Sequence, residues 1–390
     1  MNINHFNLYI MKRYLRMKLL YYTLLFVILA SCKDQKGQQD IGIWHFDVTK
    51  EYPTKEIYIQ DIADVDYIPL ETNDSILWRG REVLYLDDDY IVGANRNNGV
   101  YFHDGKGKAL NMFNKMGQGP KEYLDMYKVQ YDKKSDEIYI NDMFKYYVYD
   151  KEGNFKRSFQ GIEDKLYSRI EQFFILNEDE LIQYNYNNHY TRVSRLTGEH
   201  LGDIKLGVAD STTTLHFRKN NMIFNTIVSH FTKDKEGYII TSFSSDTTYL
   251  LTSNLQLKPI GVRIPPVSSQ DVPVFLLPVK NTPRYYFMST IKKEDSFPVK
   301  AYMMDKKTNQ IYYLKDYFKN KDYIGLKVHL DMFGPSVLAD LPNNVCVQSL
   351  NITKLCEAYE EGKLSGKLKD IAANLKEDDN PVLMIIKFRE

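Results

Sequence analysis

The chain has 390 residues, and its 51 Lys plus Arg are balanced by 51 Asp plus Glu, so no global field draws it to nucleic acid or to an anionic surface. A hydrophobic fraction of 43% is ordinary for a folded protein and supplies a proper core. The 31 tyrosines and 20 phenylalanines are an aromatic load that favours strands over helices.

At the N-terminus, Lys12, Arg13, Arg16 and Lys18 precede an apolar run from Leu19 to Ala30, which Lys33 and Asp34 end. Basic, then apolar, then small residues is the order of a secretory signal. The run is shorter than the roughly 20 apolar residues that a spanning helix needs. A cleaved signal without lipid is the plain alternative, and Met11 or Met17 are alternative starts. Leu29-Ala30-Ser31-Cys32 resembles the lipobox of bacterial lipoproteins. That resemblance implies cleavage of a 1–31 leader, acylation of Cys32 and a mature protein tethered to a membrane outside the cytoplasm. Acyl chains contribute about 0.8 kcal/mol per buried methylene to such an anchor. Residues 32–50 open with a polar, aperiodic stretch and are expected to form a flexible tether, with the folded domain spanning 51–390.

Beyond the tether, short β-type runs alternate with turns. Glu82–Leu86, Tyr90–Ala94 and Gly99–His103 lead into a turn at Asp104–Gly107. Glu137–Asp142 and Tyr146–Asp150 lead into Lys151–Asn154, and Glu180–Tyr184 and Thr191–Arg195 lead into Leu196–Glu199. The turn glycines Gly107, Gly153 and Gly198 stand 46 and 45 residues apart, the length of a four-stranded propeller blade. Looser copies turn at Ser253-Asn254 and at Asp305–Asn309, and Asn344–Gln348 with Pro381–Phe388 makes a sixth unit. Ile352–Leu375 has helical periodicity, with Leu355, Ala358 and Tyr359 on one face, and is expected to be a helix inserted in the last blade. The final strand is expected to pair with the start of the chain and close the ring.

Three further segments carry a family resemblance. Met116-Gly117-Gln118-Gly119-Pro120-Lys121-Glu122-Tyr123 is similar to the Gly-x-Gly-Pro-x-Glu-Tyr signature of bacterial six-bladed β-propeller lipoproteins. Ile68–Thr72 and Asp379–Leu383 match that family's termini. The resemblance implies an all-β fold: a six-bladed propeller of four-stranded antiparallel blades with a helical insertion near the C-terminus. It implies no established reaction. The residues themselves read Gly117, Gly119, Pro120, Glu122 and Tyr123 as a structural turn, with positive φ open to the glycines and Glu122 accepting backbone N–H groups. A phosphate loop is the rival, and no Lys-Ser/Thr pair follows to support it.

Catalytic signals are sparse. Seven histidines lie outside the leader without His-x-His or His-Glu-x-x-His spacing, and His216 and His230 are the first metal candidates. The acidic runs Asp87–Asp89 and Glu377–Asp379 offer calcium-type oxygens or simply solvated turns. Cys346 and Cys356 are either a pair or isolated thiols. No Gly-x-Ser-x-Gly elbow is present. Tyr184, Tyr186 and Tyr190, interleaved with asparagines, form the best ligand-binding cluster, against the alternative that tyrosines pack between blades.

The combined expectation is a non-enzymatic, lipid-anchored propeller of the cell envelope, favouring the outer membrane, which binds a glycan, peptide or envelope protein without a cofactor. The alternatives are a metal-dependent lyase or lactonase with a divalent ion in the central channel, and a scaffold of an outer-membrane complex. Fold alone does not choose among them.

Overall fold

β-branched and aromatic residues suit a half-buried pleated surface, and the Asp-, Asn- and Gly-bearing segments between them turn the chain back on itself. The computed structural model describes residues 42–390, apart from residues 74–75, 79–81, 143, 163–169, 186–189, 207–214, 220–221, 227–230, 243–244, 295–297, 316–317 and 331–340. The first described elements are β1 (Trp44–Asp47), β2 (Ile57–Tyr58), the single-turn helix α1 (Ile59–Ile62) and β3 (Ala63–Pro69). Trp44 and Phe46 are buried in β1, so the fold begins inside the segment expected to be tether.

A series of antiparallel sheets follows. The first is β4 (Glu82–Leu86), β5 (Tyr90–Asn95), β6 (Gly99–Asp104) and β7 (Ala109–Phe113). The second is β8 (Lys128–Asp132), β9 (Glu137–Asn141), β10 (Lys145–Asp150) and β11 (Phe155–Gln160). The third is β12 (Ile170–Ile175), β13 (Glu180–Asn185), β14 (Tyr190–Ser194) and β15 (His200–Ile204). A hairpin of β16 (Leu215–Lys219) and β17 (Met222–Thr226) comes fourth. The fifth comprises β18 (Phe231–Lys233), β19 (Gly237–Ile240), β20 (Thr247–Thr252) and β21 (Leu257–Ile264), with β1 added in parallel along β21. The sixth is β22 (Val274–Asn281), β23 (Tyr285–Lys292), β24 (Val299–Asp305) and β25 (Gln310–Tyr313).

The short β26 (Phe318–Lys319) and β27 (Lys327–Val328) form a small sheet with β2. The seventh blade is β28 (Val345–Leu350), β29 (Val382–Phe388) and β3, with helices α2 (Ile352–Glu360) and α3 (Gly366–Ala372) between its first two strands.

The described residues thus form seven blades, and the expectation of six is corrected. The addition is the β16–β17 hairpin. Residues 215–226 contain no glycine, so the hairpin left no mark in the glycine spacing from which the repeat was read. Closure is as expected in kind: β29 pairs antiparallel with β3, from Val382 opposite Pro69 to Phe388 opposite Ala63. The strand that closes is β3. The single expected helix is two, divided at Gly362 (φ +68°), and Tyr359 turns outward at 38% exposure while Leu355 and Ala358 are buried. Asn351 caps α2 by accepting the Lys354 N–H at 3.0 Å.

Middle strands are buried on both faces and outer strands are not: all five residues of β9 are buried, whereas β15 is exposed or half-buried throughout. Apolar side chains gather in clusters shared by two sheets. Tyr131 joins blades one and two, Tyr146 joins two and three, and Phe174 stacks on Tyr238 with centroids 4.0 Å apart between three and five. Tyr286 joins five and six, Met384 joins six and seven, and Tyr101 joins seven and one.

The turn glycines earn their spacing. Gly107, Gly153 and Gly198 have φ of +91°, +81° and +78°, and a Cβ on each would strike the preceding blade, at Pro69, Phe113 and Gln160 respectively. The looser copies place Leu255 (φ +66°) and Asn309 (φ +54°) in the same left-handed region. The chain's two tryptophans also sit on strand glycines: Trp78 on Gly93 and Trp44 on Gly261, where a Cβ would fall 1.9 and 2.0 Å from the indole. Gly93→Ala and Gly261→Ala are therefore expected to destabilise the fold by about 1–3 kcal/mol each and to shift tryptophan emission. Denaturant titration followed by fluorescence checks this, and an unchanged midpoint would mean the indoles are not tightly seated.

Candidate functional site

The glycine-proline segment connects β7 to β8. Gly117 N–H donates to the Tyr123 carbonyl at 3.0 Å, and Gly119 N–H donates to Glu122 Oε2 at 2.8 Å. Neither glycine is in the left-handed region, which corrects the reason for their presence. A Cβ on Gly117 would lie 2.0 Å from the Glu122 carboxylate, so the residue is small because the carboxylate folds over it. Tyr123 is fully buried; burial raises its hydroxyl to about 12, and that hydroxyl donates to Asn114 Oδ1 at 3.0 Å. The Tyr149 hydroxyl reaches up from blade two to the Lys121 carbonyl at 2.6 Å. These bonds within the turn and to blade two make the segment a rigid connection between blades.

The tyrosine cluster is corrected. Tyr184 and Tyr190 are buried in the core shared by blades three and five, with ring centroids 4.8 Å apart. The Tyr190 hydroxyl donates to the Thr241 carbonyl at 2.8 Å. Tyr186 lies outside the described residues, as do His230 and the side chain of His216. Asp87 is occupied within its turn, accepting from the N–H groups of Asp89 and Tyr90 and from the Tyr85 hydroxyl. Asp379 likewise accepts the Lys376 N–H at 2.7 Å. Among the described residues no three His, Cys, Asp or Glu converge as metal ligands. Cys346 is buried and Cys356 half-buried, and the two are not joined as a disulfide.

What the structure does assemble is a groove of about 530 Å³ on the flank of the seventh blade, between β2 and the β26–β27 segment. Its walls carry Lys319, Lys321, Lys327 and Glu56, and its apolar surface comes from Tyr58, Ile324 and Leu326. Two supports fix it. On one side Gln60 accepts the Lys321 N–H at 3.0 Å and donates to Asn320 Oδ1 at 2.9 Å. Asn320, buried in the groove wall, donates in turn to the Tyr67 hydroxyl at 3.1 Å, and that hydroxyl donates to Asp322 at 3.0 Å. On the other side the helical insertion holds the outer loop: Ile324 N–H donates to the Lys363 carbonyl at 3.0 Å, Ser365 N–H to the Asp322 carbonyl at 3.0 Å and the Tyr323 hydroxyl to the Lys354 carbonyl at 3.1 Å.

Lys319 pairs with Glu56 at 2.6 Å and Lys321 with Asp61 at 2.5 Å, both in solvent-exposed positions. Sequence reasoning missed this groove because its two walls lie some 260 residues apart and share no motif; Lys319-Asn320-Lys321 was the sole local hint.

Two buried groups outside the groove contribute to the protein's response to acid. His103 is fully buried against Trp78, with both ring nitrogens unpartnered, and burial pulls it down to about 4 although Glu71 and Asp104 oppose this. At Glu137 burial pushes the carboxyl up, but the bidentate Arg157 guanidinium, Lys156 and the Tyr139 hydroxyl outweigh it and hold it at about 2.

Below pH 6.5 the unfolded chain binds a proton at His103 that the native chain refuses until about pH 4, so stability falls across that window by up to about 1.4 kcal/mol per pH unit. Glu137 stabilises above pH 4.5, and that contribution is lost as the pH falls towards 2. His103→Phe is expected to flatten the first window. Glu137→Gln is expected to flatten the second and to cost about 2–3 kcal/mol at neutral pH by stranding Arg157. Urea titrations at several pH values check both.

Residues 45–262 match the family described as "Domain of unknown function (DUF4934)". The match spans more than half of the chain, and the chain belongs to that family. No curated protein matches. A protein of Bacteroides fragilis NCTC 9343, described as a "putative exported protein", is 14% identical and superposes with a TM-score of 0.61, over 89% of this chain and 100% of that one. BamB from Moraxella catarrhalis is 11% identical with a TM-score of 0.40, over 82% of this chain and 100% of that one. The first likeness is one of propeller fold, and the second is too loose to carry an argument.

Proposed function

We propose that this DUF4934 member is a lipid-anchored binding module of the cell envelope, exported by its leader, acylated at Cys32 and taking its ligand in the groove beside β2. The groove is the observation that carries the reading. Its volume of about 530 Å³ falls within the usual 300–1,000 Å³ of small-molecule sites. Its walls are braced from the propeller by Gln60 and Asn320 and from the helices by Lys363 and Ser365, so it is formed before any ligand arrives. The envelope location rests on the basic, apolar and small-residue order that ends at Cys32. Among the described residues no helix is long and apolar enough to cross a membrane. The metal-dependent enzyme alternative has no specific observation in its favour there.

Two measurements test the reading. In cell fractionation the wild-type chain is expected with the membranes and the Cys32→Ser chain in the soluble or unprocessed pool; identical distributions would remove the lipid anchor. In a ligand-observed fragment screen, hits are expected to weaken about tenfold or more in Ile324→Trp, which fills the groove. Hits of unchanged affinity in that variant would place binding elsewhere.

A further inference from the structure

We propose that the groove selects small organic acids, the carboxylate lying among Lys319, Lys321, Lys327 and the backbone of Gly325, and the apolar body on Tyr58 and Ile324. This rests on the groove being the ligand site and adds the chemical class of what enters it.

Charge is the first argument. Three lysines line the groove against one carboxylate, Glu56. The two nearby acids outside the lining are engaged: Asp61 by Lys321, and Asp322 by the Tyr67 hydroxyl and Gln60. The ion pairs that hold Lys319 and Lys321 join side chains about half exposed or more, with Lys319 at 45% and Glu56 at 66%, and Lys321 at 52% and Asp61 at 48%. Such exposed pairs contribute only about 0–1 kcal/mol, so an incoming carboxylate can take over a lysine at little cost. A cationic ligand would meet three ammonium groups, and a neutral one would draw no charge attraction from them.

The backbone supplies the second argument. Gly325 has φ +90°, and a Cβ there would meet nothing within 4 Å. Without a side chain the main chain is bare where it borders the groove, so a ligand can come close to the backbone there. The loop around it is fixed, since Ile324 N–H is bound to Lys363 and Leu326 N–H donates to the Tyr323 carbonyl at 3.2 Å.

The third argument is the body of the ligand. Tyr58 is 42% exposed and Ile324 66% exposed, which are large apolar surfaces to leave in water beside a concave site. Lys321 lies 5.6 Å from the Tyr58 ring centroid, so the charged and apolar parts of the site adjoin. A ligand that is anionic at one end and flat or branched and apolar at the other satisfies both.

The test uses the full lipidated chain in nanodiscs of zwitterionic lipid, with empty discs as the blank, titrated with phenylacetate and with its neutral isostere phenylacetamide. Phenylacetate is expected to bind about tenfold more tightly at low salt, with the gap closing as salt rises. In Lys321→Gln/Lys327→Gln the acid is expected to weaken about tenfold while the amide is unchanged, with thermal unfolding as a check on the fold. Equal affinity for the two probes, both abolished by Ile324→Trp, would overturn acid selectivity and leave the groove as a ligand site. Millimolar phenylacetate that fails to bind at all, or that binds equally well in Ile324→Trp, would overturn the selectivity and the groove reading together.

Discussion

Seven consecutive residue pairs join Ala63–Pro69 to Val382–Phe388, and they tie the two ends of a long meander into a ring. Every other feature depends on that ladder. It leaves the last blade without a free edge on β29, where an unpaired row of N–H and C=O groups would invite association. It also fixes the neighbours. Asn380, just ahead of β29, accepts the Trp78 N–H at 2.6 Å and donates to the Glu71 and Ile76 carbonyls at 2.7 and 2.9 Å, so the entry into blade one is set by the end of the chain. On the opposite side Arg389 donates to the Ala63 carbonyl at 2.9 Å. The segment 56–62 is thereby held against 318–328, and the groove is a by-product of closure.

The excess of tyrosine has a physical account that ligand binding does not supply. A blade packed on both faces needs large side chains to fill the wedge between sheets, and a phenol fills it while carrying a hydroxyl to the loops at the blade's end. Tyr131 donates to Asp136 at 2.8 Å, Tyr139 to Glu137 at 2.7 Å and Tyr149 to the Lys121 carbonyl at 2.6 Å, all from rings that are almost wholly buried. Tyr131 and Tyr149 each tie a core to a turn, and Tyr139 braces Glu137 within β9. Phenylalanine would fill the same space and leave those turns unbraced.

The same chemistry explains what could be read from the residues alone. Strands and glycine turns of the first three blades were legible because a left-handed turn that abuts a neighbouring blade tolerates almost nothing but glycine. Blades five and six reach the same backbone conformation with Leu255 and Asn309, residues that carry no such mark, and the repeat blurs there. The strand pair between His216 and His230, which is β16–β17, went uncounted among the units for the same reason. Tyr184 and Tyr190 alternate with asparagine as a binding loop would, and only the opposing blade, with Tyr238 and Thr241, shows them to be interior. The groove depends on contacts between the two ends of the chain, and no local pattern encodes those.

The parallel strand β1 has a mechanical meaning. Its four pairs with β21, from Trp44 opposite Gly261 to Asp47 opposite Ile264, lie on the rim of the fifth blade, far along the chain from the ladder that closes the ring. Tension applied to the backbone ahead of Trp44 would load those pairs in shear before any of it reached Ala63. Were they to give way, the load would pass to the bridge of Thr54 with Tyr313 and to the pairing of β2 with β26 before it reached β3, which would stay paired with β29. The outermost strand would then act as a fuse, yielding under load so that the propeller behind it stays shut.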